Sequence, residues 1–234
     1  MTTPASHRAS RSASQRGLSL VELMVGAAIS LFIAAAGAAL LANNLRENRA
    51  LMLEARLTQD LRTAADLVSR DLRRAGYWGR ATEGVWTAGA TRVAANPYAA
   101  LAPAAAASDA ISFRYSRDAT ENQNVDANEE FGFRLHRGAI EMQLGAGNWQ
   151  ALTDIGTLSV TTFSLAPSVQ DISLESFCAR PCAAGSAATC PPHQAVRSFG
   201  LVITGQLTND PRLSRSVHSQ VRLRNDAVVG TCAE

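Results

Sequence analysis

An apolar segment of about 25 residues, directly after a basic N-terminal stretch, limits most strongly what this chain can fold into. Residues 18–42 contain one ionisable side chain, Glu22. A segment of this length and composition can cross the hydrocarbon core of a bilayer as a helix. Arg8, Arg11 and Arg16 precede it without an acidic residue among them. The positive-inside rule therefore places the N-terminus in the cytoplasm and the chain after residue 42 outside.

Length and charge limit the remaining possibilities. The 234 residues suffice for one ordinary domain plus an anchoring helix. The sequence has 22 basic and 20 acidic residues, and the three N-terminal arginines belong to the basic set. Without them the chain is close to neutral, so it lacks the basic surface that nucleic-acid binding requires. We expect no nucleic-acid partner.

The segment after residue 42 continues as a helix with one apolar face. No proline occurs between Pro4 and Pro97. Apolar residues recur at spacings of three and four, which is typical of a helix packed on a core. They are Leu53, Leu57, Leu61, Ala64, Val68, Leu72 and Ala75. One helix is predicted from Leu18 to about Ala75, with Gly76 ending it in the left-handed conformation.

Residues after Gly76 carry strand signals. Apolar and polar positions alternate at 111–115 and 131–135, and further candidate strands are 139–144, 158–165, 199–207 and 216–223. Turn sequences separate several of them, which favours an antiparallel meander. Residues 94–108, which are rich in alanine and contain two prolines, are predicted as an irregular loop. The sequence therefore predicts an α+β fold.

All four cysteines lie in the last quarter of the chain: Cys178, Cys182, Cys190 and Cys232. An even number in an exported domain favours disulfides. Three pairings are possible, and the sequence does not choose among them. An alternative is a zinc site with three cysteines and His193 as ligands, although the spacing is not a standard one.

Other polar and aromatic groups have structural interpretations that we favour. Oxygen side chains alternate at Asn124, Asp126, Asn128 and Glu130 and could surround a calcium ion, but the glycine of the standard loop is absent, so we expect a solvated turn. Tyr77, Trp78 and Trp86 could form an exposed adhesive patch, but packing against the sheet is more common.

Signatures of catalysis were not found. The sequence has no Gly-x-Ser-x-Gly elbow, no glycine-rich phosphate loop and no His-Glu-x-x-His pair. His136, His193 and His218 are expected to be structural or solvated. We expect a protein that is not an enzyme and that has no cofactor and no metal site.

The junction between the basic stretch and the apolar segment resembles a known signal. Arg16-Gly17-Leu18-Ser19-Leu20-Val21-Glu22-Leu23-Met24 is similar to the class III signal of type IV prepilins and type II secretion pseudopilins. The resemblance implies that a prepilin peptidase cuts after Gly17 and methylates the new N-terminal residue, Leu18. It also implies that Glu22, the fifth mature residue, binds the amino group of a neighbouring subunit. Leu18 stands where the family most often has phenylalanine.

Two softer motifs resemble the PilW family of minor type IV pilins: Asp71-Leu72-Arg73-Arg74-Ala75-Gly76-Tyr77 and Val221-Arg222-Leu223-Arg224-Asn225. This resemblance implies a pilin-like fold with a leader (1–17), a transmembrane and filament-core helix (18–42), an amphipathic helix (43–76) and a periplasmic β-rich domain (77–234).

The implied function is that of a structural subunit, anchored in the bacterial inner membrane and then part of a pilus, that initiates or caps it and supports adhesion and twitching motility. The implied partners are the prepilin peptidase, other minor pilins, the major pilin and the inner-membrane assembly platform. A minor pseudopilin of type II secretion and a membrane-anchored periplasmic binding domain are the alternatives.

Overall fold

The computed structural model describes residues 17, 19–183 and 189–233. Residues 1–16 and Leu18, on which part of the processing prediction rests, lie outside the described residues. The described chain forms one long helix, α1 (Leu20–Leu72), and nine strands. The strands are β1 (Leu101–Ala102), β2 (Ala110–Arg114), β3 (Glu130–His136), β4 (Ala139–Leu144), β5 (Trp149–Ala151), β6 (Leu158–Ser173), β7 (His193–Leu207), β8 (Asp210–Arg222) and β9 (Ala227–Val229). Short 3-10 helices span Ala81–Gly84, Ala127–Glu129 and Glu175–Phe177.

The chain divides into two compact units, Met1–Met52 and Leu53–Glu234. The boundary falls inside α1 and inside the segment predicted as amphipathic. In the first unit, all helix residues from 20 to 52 are exposed. By length and composition α1 is able to cross a membrane, because its N-terminal half is almost entirely apolar.

In the second unit the helix buries the predicted apolar face. Leu57, Leu61, Val68 and Leu72 are each at most 1% exposed, whereas Leu53, at the start of this unit, is exposed. Burying one such side chain contributes about 1.5–3 kcal/mol. The stripe therefore fixes which side of the helix faces the sheets.

The helix ends one turn earlier than predicted. After Leu72 the amides of Arg74 and Ala75 bond to carbonyls three residues back, which tightens the chain into a turn. Gly76 then has a φ of +74°, as expected for a residue that reverses the chain. Its amide donates to the carbonyl of Arg114 at 2.8 Å, which ties the turn to β2.

The strands form two antiparallel sheets. The first has the order β1-β2-β3-β4-β5. The second has the order β6-β7-β8, and β9 pairs with the first three residues of β7. A bridge between Ser108 and Leu165 connects them. A long apolar N-terminal helix on antiparallel sheets confirms the predicted α+β pilin-like fold. Strands β1, β5 and β9 were not predicted, and β1 lies inside the segment predicted as an irregular loop.

One continuous core lies between the helix and the two sheets. Phe113, Phe133, Leu165, Phe199 and Ile203 are at most 2% exposed and belong to it together with the helix stripe. The sheets and the second half of α1 therefore form one packed body.

Candidate site for processing and assembly

Ser19 marks the start of α1. The amide of Val21 donates to Ser19 Oγ at 3.3 Å, and the amide of Leu23 donates to the Ser19 carbonyl at 3.1 Å. A serine in this position satisfies an amide of the first turn that has no partner within the helix. Sequence reasoning missed this residue, although the Ser19-x-x-Glu22 spacing is a capping-box signature that could have identified it.

Gly17 lies before the helix and is exposed. A Cβ atom built on it would meet nothing within 4 Å. The packing of the described residues therefore does not require glycine at this position. An unobstructed glycine suits the cleavage predicted between Gly17 and Leu18, and Leu18 itself lies outside the described residues.

Glu22 lies in the first turn of α1 and is exposed. A carboxylate there is favoured by the positive end of the helix dipole. Among the described residues, no basic side chain forms an ion pair with it. The next acidic residue along the helix is Glu47, so Glu22 presents the one carboxylate of an otherwise apolar helical surface.

Small residues follow Glu22 along the helix. Added Cβ atoms at Gly26 and Gly37 would meet nothing within 4 Å. Ser30 satisfies its hydroxyl within the helix by donating to the Gly26 carbonyl at 2.8 Å. Surfaces of this kind let helix backbones approach each other closely in lipid.

The four cysteines form two disulfides. Cys178 pairs with Cys232 and Cys182 pairs with Cys190, with Cα–Cα distances of 5.5 and 5.7 Å. This choice among the three pairings was not available from the sequence. The zinc alternative is wrong for this arrangement, because a disulfide sulfur is no longer a thiolate ligand. The first disulfide connects the end of the third 3-10 helix with the C-terminal segment.

The three aromatic residues after the helix do not share one surface. Tyr77 is half-exposed, Trp78 is buried and Trp86 is intermediate. Trp78 and Trp86 line a cleft of 590 Å³ together with Phe177. The tryptophans therefore pack around this cleft, and an exposed patch made of all three residues is not what the fold builds.

The acidic loop before β3 brings together a different set of oxygens from the predicted one. Carboxylate oxygens of Asp118, Asp126 and Glu129 lie within 4.8 Å of one another. Glu129 is fully buried, and it accepts the amide of Arg117 at 2.7 Å and that of Asp126 at 2.9 Å. Its two oxygens therefore hold the turn. Among the predicted carboxylates, Asp126 belongs to this group and Glu130 does not.

The histidines lie in polar surroundings on the sheets. His136 Nδ1 is 2.9 Å from Glu141 Oε1, and His193 Nε2 is 3.7 Å from Asp171 Oδ1. His136 and Arg134 lower the pKa of the Glu141 carboxyl by hydrogen bonding to it. These pairs are exposed or partly exposed and join residues on neighbouring strands. A structural role is therefore sufficient to explain both histidines.

Two family models match this chain. The model described as Prepilin peptidase-dependent protein B matches residues 50–223, and the model described as Prokaryotic N-terminal methylation motif matches residues 12–38. The second match contains Gly17, Leu18, Ser19 and Glu22. No curated protein and no solved structure matches the chain.

Proposed function

We propose, since the chain belongs to the prepilin peptidase-dependent protein B family, that it is a minor type IV pilin of the PilW kind that initiates or caps a pilus and supports adhesion and twitching motility. The family and the methylation motif make the chain a membrane-anchored subunit with a minor pilin or pseudopilin role, processed by a prepilin peptidase. The role in the pilus and the PilW assignment are the proposal.

The observation that carries the proposal is the junction from Gly17 to Glu22. A glycine that the fold does not require is followed by a capped helix start, and an isolated carboxylate follows in the first turn. A secretory signal would end its shorter apolar core at a small-residue cleavage site. Here the apolar segment continues as the helix that packs on the globular domain.

In the proposed assembly step, cleavage before Leu18 creates an amino group at the start of the helix. A carboxylate in a transmembrane helix costs on the order of 2.5–3.5 kcal/mol at mid-bilayer, less near the interface. An ion pair between Glu22 and the amino group of the next subunit offsets this cost and sets the axial position of one helix against its neighbour. The small residues of the helix let the two backbones approach.

We further propose that the role of the chain is structural rather than enzymatic, and that its partners are the peptidase, other minor pilins, the major pilin and the inner-membrane assembly platform. The globular domain would lie in the periplasm before assembly and on the filament after it. Its two disulfides suit an oxidising compartment.

The assembly step is tested by Glu22→Ala. We expect incorporation into filaments to fall roughly tenfold or more, because leaving a buried amino group without its partner costs about 3–5 kcal/mol. Incorporation is measured by immunoblot of sheared filaments against membranes. Glu47→Ala is the matched control, since Glu47 is exposed on the same helix but follows the apolar segment.

The intact mass of the protein from membranes supplies the second measurement. The proposal expects a chain that begins at Leu18 and is one methyl group heavier. A chain that begins at Met1, together with normal function of Glu22→Ala, would instead indicate a membrane-anchored binding domain.

A minor pseudopilin of type II secretion is the second candidate, because the features of α1 are shared by both filament systems. A deletion strain separates them. Loss of pili and twitching with normal secretion supports the pilus role, whereas loss of secretion with normal pili supports the pseudopilin role.

A further inference from the structure

The outer edge of β8 exposes backbone groups that no other strand pairs with in the described part of the chain. β8 pairs with β7 on one side only and is the last strand in the order β6-β7-β8. An edge strand of this kind is a template for another strand, because its amides and carbonyls repeat at the spacing of a sheet ladder.

The register shows which residues face outward. Leu165 of β6 exchanges both backbone hydrogen bonds with Ser108, so its amide points away from β7. Leu165 lies opposite Leu201, and the bonding side alternates with each residue of an antiparallel ladder. Leu201 therefore bonds to Ser219 on β8. From Ser214, where the register becomes regular, the even-numbered residues of β8 direct their amides and carbonyls outward.

The first of these outward groups is occupied by a side chain, because the carbonyl of Ser214 accepts from Arg215 Nη1. In the described structure, the outward groups further along the strand have no backbone or side-chain partner. They belong to Ser216, His218 and Gln220.

The opposite edge of the same sheet is protected. On β6, Leu165 is bonded to Ser108. The next outward position is Pro167, which has no amide, and Asp171 places a charge two outward positions further on. Proline and charged residues are devices that prevent pairing at a sheet edge. On β8, proline and charged residues lie before residue 216 and at residue 222, so the backbone of residues 216–221 is the part of this edge that stays open.

The side chains of β8 indicate what kind of strand fits. Leu213 and Val217 face the core and are only partly buried, so apolar residues opposite them would complete their burial. Each of the three arginines of β8 forms an ion pair with an acid whose side chain is less exposed than its own. The Arg212 side chain is 91% exposed and that of Asp210 36%. The corresponding values are 66% and 14% for Arg222 and Asp226, and 42% and 37% for Arg215 and Glu54. An approaching strand therefore meets the cations first.

We propose that the β8 edge binds an extended acidic segment of a neighbouring subunit, which adds as a strand and alternates apolar with acidic residues. This inference deepens the proposed function, because it names a surface through which the subunit recognises its neighbour. A second copy of β8 is the less suitable partner, because its exposed arginines would face those of the first.

The test uses the mature full chain in detergent and the peptide acetyl-Glu-Val-Thr-Val-Glu-Val-amide. Amide hydrogen exchange is followed by NMR at single residues. We expect exchange at Ser216, His218 and Gln220 to slow by about tenfold when the peptide binds, because amides in a sheet ladder are protected. The amides of Val217 and Ser219, already bonded to β7, should change little.

Matched peptides and variants separate the parts of the proposal. A peptide with lysine in place of glutamate tests charge, and one with alternate amides methylated tests strand pairing while the protein stays unchanged. Ser216→Pro removes an outward amide and keeps the backbone bonds to β7, although it loses the 2.7 Å hydrogen bond between Ser216 Oγ and Thr204 Oγ1. Ser216→Ala loses that side-chain bond but keeps the amide, and Ser216→Thr keeps both groups. Both altered peptides are expected to bind the unchanged protein more weakly. Of the protein variants, only Ser216→Pro is expected to bind the original peptide more weakly.

Three results would overturn the proposal. Equal protection by the lysine peptide would contradict an acidic partner, and equal protection by the methylated peptide would contradict strand addition. Protection without peptide, in a sample with the mass of a dimer, would make a second copy the occupant. Glu22→Ala should bind the peptide normally, so a failure of the filament proposal would be recognised separately.

Discussion

The packing of the described residues gives Gly17 no reason to be glycine. A Cβ atom there would contact nothing, so Gly17→Val should leave the thermal midpoint of the globular domain unchanged. We expect cleavage to slow by roughly tenfold to a hundredfold, because a branched side chain in a cleft fitted to glycine costs about 1–3 kcal/mol. The measurement is the ratio of precursor to mature mass in membranes.

Gly26→Val is the control for this substitution. Gly26 is also in open space, but it lies inside α1 and away from the scissile bond. Normal cleavage of this variant with failed cleavage of Gly17→Val is the expected pattern. Normal cleavage of both would contradict the assignment of the cut site.

At the residue scale, the sequence predicts sites that are contiguous and misses sites that the fold assembles. Gly17 and Glu22 could be proposed from the sequence because the roles expected of them depend only on a short segment and its position beside an apolar helix. The acidic loop shows the opposite case, since Asp118 joins Asp126 and Glu129 only after the turn before β3 is formed. Likewise, spacing alone could not pair Cys178 with Cys232.

At the element scale, contact between α1 and the second sheet depends on a close approach at Gly205 of β7. A Cβ atom there would lie 2.6 Å from Leu158 Cδ1 and 3.0 Å from Leu61 Cδ2. Gly205→Ala therefore requires both leucines to move, and overpacking of this kind costs about 1–3 kcal/mol. Urea unfolding of the mature chain measures the difference.

Gly200, on the same strand, provides the control. The nearest atom to its added Cβ would be 3.7 Å away, which is ordinary contact. Gly200→Ala should be neutral or stabilise by about 0.5–1 kcal/mol, because alanine loses less backbone freedom on folding. Equal effects of the two substitutions would show that the helix is not held close at Gly205.

The elements that the sequence predicted are those with a regular pattern of buried residues. The stripe of α1 and the alternation in β2, β3 and β4 are visible because one face of each is buried. Strands β6 and β7 extend beyond their predicted bounds, since residues 168–173 are exposed on both faces. Strands β1, β5 and β9 have two or three residues, too few to show a period, and exist because a neighbouring strand pairs with them.

At the scale of the whole molecule, the family matches follow the two structural units. The methylation motif, residues 12–38, lies within the first unit, and the larger match, residues 50–223, lies almost entirely within the second. The larger match ends at Leu223, which is also the last residue of the main apolar cluster in the described chain. The segment after it carries β9 and Cys232, so the first disulfide connects the core domain to an addition beyond the family match.

This arrangement predicts different costs for removing the two disulfides. Cys178–Cys232 closes a loop of 54 residues and Cys182–Cys190 a loop of 8. Loop-closure entropy gives about 4 kcal/mol for the first and about 2.5 kcal/mol for the second. Replacing both cysteines of a pair by serine should therefore lower the free energy of unfolding more for the first pair, as measured by urea unfolding of each double variant.

Removing Cys178–Cys232 should also reduce amide protection in one particular region, the C-terminal segment. β9 pairs only with residues 193–195 of β7, and in the described chain no residue of the main apolar cluster follows Leu223. Without Cys178–Cys232, the amides of Ala227, Val228 and Val229 should exchange faster, whereas those of β2, β3 and α1 stay protected. The C-terminal segment would then be held only by this short pairing and a few hydrogen bonds, such as that from the Thr231 amide to the Thr189 carbonyl. Loss of protection across the whole domain would show instead that this disulfide is required for the core itself.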